Sequence, residues 1–386
     1  MAYTTIDDPS EFFQALTYTG NGSHPRNLTN TGNSDLKPDF IWTRNRTDNS
    51  SNHVTANSSL GFNAPKGQGY AWENGPFGGQ MSTDSSGTAS TPAATYGYVS
   101  AALTDGFTAA AGGTNGDVAN ANNKEFVAFQ WKCNGGTKAN NTDGNITTSV
   151  QVNSTCGFSI GMYEGSGANN ATIGHGLGAI PDFFMIKGTG HGASVGAQYW
   201  VCGAPNHPNF ANNSSKHVFL DTTHSIMNNT TIWRNEAFTT SIVPMGTHAS
   251  INTNGGDYIF YAFKNIQGYS KIGHYIGNGN SNGPFVHTGF KPAFVLIKNL
   301  DATQVWIMYN IGTKPFNQDA AANSLYASET TAEYQGASYH NLDILSNGFK
   351  VRLTDASQNG NGVDYLYMAF AHNPFVTSTG LPTTAQ

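Results

Sequence analysis

One pattern occurs three times along these 386 residues, and it limits what the chain can fold into more than any single motif does. Tyr-x-Gly-Asn/Ser-Gly begins at Tyr18, Tyr163 and Tyr275. Each copy is followed by a proline (Pro38, Pro181, Pro292) and then a short apolar run: Phe40-Ile41-Trp42, Phe183-Phe184-Met185-Ile186 and Phe294-Val295-Leu296-Ile297. Each closes on an asparagine (Asn120, Asn252, Asn359), an acid (Glu125, Asp257, Asp364) and an aromatic strand running to Trp131, Phe263 and Phe370. Three diverged copies of one module suit a protein that displays or packs surface better than a single-site enzyme.

In the second closing strand, Tyr258, Phe260 and Ala262 alternate with Ile259, Tyr261 and Phe263. Side chains alternate across a strand, so both faces are apolar and the strand is expected at the centre of a sheet, covered on both sides. The segments Phe238–Val243 and Gly348–Leu353, each followed by a Gly/Asn turn, predict hairpins leading into the closing strands. The longest helical candidate is one or two turns starting at Pro9. These features predict an all-β chain of three tandem antiparallel β-sandwich modules of jelly-roll or lectin-like form. Units of roughly 110 residues fit the ordinary domain range. The expected boundaries are 1–132 with a Gly-rich aromatic insertion at 47–103, a linker or arm at 133–156, 157–266, 267–375 and a tail at 376–386.

Only 11% of residues are charged, while aromatics reach 12%, which separates the chain from disordered sequences. The net charge is −6. With no Lys/Arg cluster to displace phosphate counterions, nucleic acid is not an expected partner. No apolar run is long enough for a membrane-spanning helix, so membrane insertion is not expected. The Met1–Pro9 segment lacks the basic-then-apolar form of a secretory signal, so folding in a cytoplasm is expected. Three cysteines make no Cys-x-x-Cys pair. Free thiols follow, although a Cys133–Cys156 bridge at the base of the arm remains geometrically open.

The acids Glu125, Asp257 and Asp364 suggest either calcium ligation or an Asx-type turn. The turn is preferred because no Asp-x-Asp-x-Asp-Gly loop surrounds them. His175 stands in Ile-Gly-His-Gly-Leu-Gly, but a proline and a strand follow rather than a helix, so a surface turn is expected in place of a phosphate loop. His191, His207, His217, His224 and His248 show no His-Glu-x-x-His spacing, and neither metal nor cofactor is expected. No Gly-x-Ser-x-Gly elbow and no acidic cluster suited to glycan hydrolysis is present. The segments that differ most between copies hold the candidate contact residues Tyr70, Trp72, Phe77, Tyr96, Tyr98, Trp200 and Trp233. They are read either as aromatic platforms for glycans or as contacts with neighbouring subunits.

The opening Ala2–Ser10, the run Gly32–Asp39 and above all Gly283–Lys298 with Leu345–Lys350 resemble a family of marine bacteriophage virion proteins, loosely described as tail-fibre or structural proteins. The likeness extends over nearly the whole chain; it implies lectin-like β modules in a virion component and no catalytic residues. The resulting expectation is a non-enzymatic virion protein on the particle exterior. It would be assembled in the host cytoplasm, contact other virion proteins, and sit on a tail appendage that meets host surface polysaccharide. A capsid decoration protein is the alternative, and a polysaccharide depolymerase a minor one. A homotrimer is one expectation for its assembly; pseudo-threefold symmetry within the single chain is the other.

Overall fold

The computed structural model describes residues 3–49, 51, 53–62, 81–82, 97–112, 118–192, 199–211, 215–313, 317, 323–336 and 340–383. The fold is all-β; among the described residues the strands pair antiparallel and the helices are no longer than four residues. Among the described residues no helix is long and apolar enough to cross a membrane. The expected first helix is one 3₁₀ turn, Pro9–Glu11, capped by Asp8 and running straight into strand Phe13–Thr19.

The same strand arrangement recurs in three large sheets. In the first, Glu125–Trp131 lies between Phe13–Thr19 and Phe40–Asn45. In the second, Gly256–Phe263 lies between Phe158–Glu164 and Phe183–Gly192. In the third, Asp364–Pro374 lies between Ser270–Ile276 and Phe290–Asn299. Each large sheet faces a small one: Arg26–Leu28, Phe107–Ala110 and Tyr98–Ala102; then Ala171–Gly174 with Ile242–Met245; then Phe285–His287, Gly348–Val351 and Leu342–Leu345.

The closing strands explain the architecture. One face of each (Ala128; Tyr258, Phe260 and Ala262; Tyr365, Tyr367 and Ala369) packs against its own small sheet in three separate clusters. The opposite face (Val127, Phe129, Trp131; Ile259, Tyr261, Phe263; Leu366, Met368, Phe370) enters one common core. At its end the three closing aromatics form a triangle, with ring centroids 6.3 Å apart for Trp131–Phe263, 5.5 Å for Trp131–Phe370 and 5.7 Å for Phe263–Phe370. Both faces are apolar because each is buried against a different partner. The second faces of the three large sheets thus meet in one shared aromatic core.

Two expectations are corrected. The segment 133–156 is not a free arm: Ala139–Asn141 and Thr148–Asn153 add two strands to the edge of the second sheet, with Val150 buried there. The predicted hairpins are absent as well. Ile242–Met245 and Gly348–Val351 pair within the small sheets, and the Gly/Asn turns carry the chain from small sheet to large. Gly255 and Gly362 take φ of 71° and 75° at these crossings, a region open to glycine without steric cost.

Candidate functional site

The repeated signature builds a staple in every copy. Tyr18, Tyr163 and Tyr275 stack on Phe126, Tyr258 and Tyr365 at 5.2, 5.2 and 5.0 Å. Their hydroxyls donate to the carbonyls of Ala119, Ile251 and Gln358 at 2.6, 2.6 and 2.7 Å. The residue that follows each carbonyl is the signature asparagine, fully buried. Asn252 donates to the Ala168 and Gly246 carbonyls and accepts from Ser166 N–H; Asn359 donates to those of Asn280 and Leu353 and accepts from Asn278 N–H. Asn120 donates to the Ser23 carbonyl and to the side-chain oxygen of Asn21 and accepts from Asn21 N–H. A side chain with both donors and an acceptor is required, which an acid cannot supply. The turn bonds expected of the acids belong to the asparagines. Glu125 instead meets Arg46 at 3.2 Å, Asp364 reaches across to the second unit, and Asp257, half-buried, opens its closing strand opposite Glu164.

A second staple went unread in the sequence although its signal, Pro-Asp after the first two signatures, is visible there. Asp39 accepts from Cys133 N–H at 2.6 Å and Gly135 N–H at 3.0 Å, and Asp182 accepts from Asn265 N–H at 2.7 Å. Each fixes the chain as it leaves one closing strand for the next unit. The third copy has Ala293 at this position.

The three units touch cyclically. Asn57 of the first donates to Tyr261 of the second at 3.0 Å, and Gln151 of the second donates to Ser58 and Ser59. Phe219 of the second accepts from the Trp306 indole of the third at 2.8 Å. Glu333 of the third pairs with Arg46 of the first at 2.7 Å, and the Tyr326 carbonyl lies 2.9 Å from Nε2 of buried His53, whose Nδ1 accepts from the Trp42 indole. A buried cation ends the inner face of each sheet: Arg44, Lys187 beside Asp221 at 3.7 Å, and Lys298. Burial lowers Arg44 to about 10 and Lys298 to about 7. Lys298 donates to the carbonyls of Thr223 and Gln304.

His207, His274 and Asp364 meet at the junction of the second and third units, with their candidate ligand atoms within 4.8 Å of one another. His207 precedes the short helix Pro208–Ala211, and its Nδ1 accepts the Asn209 N–H at 3.0 Å. The neutral ring therefore carries its proton on Nε2, which points at Asp364 Oδ1 from 3.5 Å. A protonated Nε2 offers a cation no lone pair; it faces the carboxylate electrostatically without closing a hydrogen bond, while His274 Nδ1 reaches the same oxygen at 3.4 Å, so the trio reads as a clasp around Asp364. Asn209 completes it by donating to Asp364 Oδ2 at 2.5 Å. Burial raises the Asp364 carboxyl, but the interactions with His207 and His274 outweigh it and hold the group below its ordinary value. His248 and His175 make the same kind of local cap, accepting from Ser250 and Leu177 N–H at 3.2 Å. His175 is buried, which corrects the expected surface turn.

Of the seven candidate contact aromatics, Tyr70, Trp72, Phe77 and Tyr96 lie outside the described residues. The other three are buried, so none presents a free ring face to a sugar. Trp200 is 0% exposed in the common core, Tyr98 is 4% exposed with its hydroxyl 3.2 Å from His24 Nε2, and Trp233 is 1% exposed. Trp233 and Phe238 nevertheless border an open cleft of about 120 Å³ at the end of the second sandwich. Ile180, Gly203, Phe210 and Lys216 line it as well. The three cysteines are free and buried; burial pushes the Cys156 thiol up to about 12 and also raises Cys133 and Cys202.

No curated protein and no solved structure matches the chain. A family model described as "Domain of unknown function (DUF7483)" matches residues 74–374, which take in part of the first unit and nearly all of the other two. With most of its length covered by that model, the chain belongs to the DUF7483 family.

Proposed function

We propose that this chain is a non-enzymatic structural protein of a bacteriophage particle, displayed on the exterior as part of a tail appendage that meets host surface glycans. On this reading 1–132, 157–266 and 267–375 are three modules of one appendage. The observation that carries it is the triangle of Trp131, Phe263 and Phe370, around which three like sheets close head to tail. On this reading the body has a pseudo-threefold axis and suits attachment to a threefold-symmetric fibre. The resemblance of Gly283–Lys298 to phage virion proteins supports the same assignment.

Capsid decoration is kept as a second reading because of one observation: every described candidate aromatic is packed inside the protein. A glycan platform would then rest on residues 70, 72, 77 and 96 alone. Imaging purified particles with a labelled antibody fragment tests both readings. Label at tail tips or fibres is expected; label spread over the shell replaces the tail reading with decoration, and unlabelled particles exclude both. Deleting 63–80 should abolish binding to host cells if the appendage reading holds.

A further inference from the structure

We infer that the cleft bordered by Trp233 and Lys216 is a binding site for a small carboxylate carried on an apolar body. The inference holds whether or not the chain sits on a particle.

Two side-chain donors at the cleft have no partner among the described residues. Trp233 is nine-tenths buried and more, yet its indole Nε1 has no hydrogen-bond partner. An indole N–H can only donate, and burying one unpaired costs free energy that a ligand oxygen would recover. Lys216, half-buried on strand Lys216–Phe219, has no ion pair among the described residues and is the one charged side chain among those that line the cleft. The remaining walls are largely apolar: Ile180, Phe210 and Phe238 beside the Trp233 ring.

Gly203 keeps the space open. A methyl group built there would stand 3.5 Å from Phe238 Cζ and 3.6 Å from Trp233 Cζ2 and Nε1. Those are ordinary contacts, so a methyl at 203 would take up space between Phe238 and Trp233 without displacing them, and Trp233 Nε1 borders that space. Two unpaired donors, one of them cationic, call for a group that only accepts and carries negative charge, which describes a carboxylate. The apolar walls call for a hydrocarbon body. At about 120 Å³, the cleft approaches the roughly 150 Å³ of a dry cavity known to hold benzene. Because the cleft opens to solvent, a small aromatic or branched aliphatic acid need seat only its ring or branch inside, with its carboxylate at the mouth between Trp233 and Lys216.

The test uses the full chain, ¹⁵N-labelled and titrated with benzoate, with benzamide as the uncharged isostere. The Trp233 indole resonance is identified by its loss in W233F. It should move saturably with benzoate. Benzamide and the K216M variant should each weaken binding at least tenfold, and G203V, with its fold checked by its spectrum, should abolish the shift. The proposal is overturned if benzoate leaves the Trp233 indole unmoved, if benzamide or K216M binds as well as the parent pair, or if G203V binds unchanged.

Discussion

Trp131 and Phe370 meet edge to face at 5.5 Å, although one closes the first large sheet and the other the third. Phe13 stacks on Phe370 at 5.1 Å from the far edge of the first sheet. The sheets therefore complete one another's inner faces, and they should melt together. Calorimetry is expected to show one cooperative transition, and F370A should lower it by about 3–5 kcal/mol without splitting it. Separate transitions for the three units would show that the common core does not couple them.

The buried asparagines, rather than the acids, should control stability at the repeated signature. N252A leaves the buried Gly246 carbonyl without its donor, a loss of about 1–3 kcal/mol, and N359A does the same to the part-buried Leu353 and Asn280 carbonyls at a smaller cost. E125A removes only a pair with a largely exposed carboxylate, so its effect on the melting temperature should be small. Equal destabilisation by E125A and N252A would reverse the assignment.

Lys298 predicts a pH dependence. Burial lowers it from 10.5 to about 7, so the unfolded chain binds more protons than the folded one between those values. Stability should rise with pH across that window, by up to about 1.4 kcal/mol per pH unit from this group. Denaturant titrations of wild type and K298M, subtracted at each pH, isolate the contribution from tyrosine ionisation. A difference that does not change from pH 7 to 10 would contradict it.

Asp364 works in the opposite direction. Its carboxyl is held below its ordinary value, so its contribution is present above about pH 4 and is lost as the pH falls through the folded value. D364N should therefore destabilise the protein at neutral pH, and the difference from wild type should shrink on acidification below pH 4. A difference that grows there would disprove the clasp.

The buried thiols predict slow chemistry. Cys133, Cys156 and Cys202 should resist a thiol reagent in the native protein and all three should react after unfolding, counted by mass. Rapid native labelling, or a count of one instead of three, would rule out this arrangement.

Much of the fold was legible from the repeats. The three closing strands, their central positions and their two apolar faces all follow from side-chain alternation, because period two is a local property. What covers the second face is not local. Nothing near Val127, Phe129 and Trp131 in the chain distinguishes a neighbouring sheet from a layer of its own, so the common core came only with the structure. The arm at 133–156 was misread for a related reason: its Gly and Asn content signals loop, yet Val150 and Val152 find an edge to pair with once the second sheet exists. Trp200 and Trp233 looked like surface residues because they lie in segments that vary between copies. Variation marked where the junctions and the cleft differ, not where the chain meets water.

The cyclic closure has a consequence for behaviour on dilution. A ring assembled from three separate chains comes apart when its concentration falls below the association constant's reach. Here the partners are tethered, so their encounter is intramolecular and the ring persists at any concentration. Tethering also frees each junction to be different, which identical chains do not allow. One junction is held by Arg46 and Glu333, another by His207 and Asp364, and the cleft beside Trp233 belongs to the second third of the ring alone.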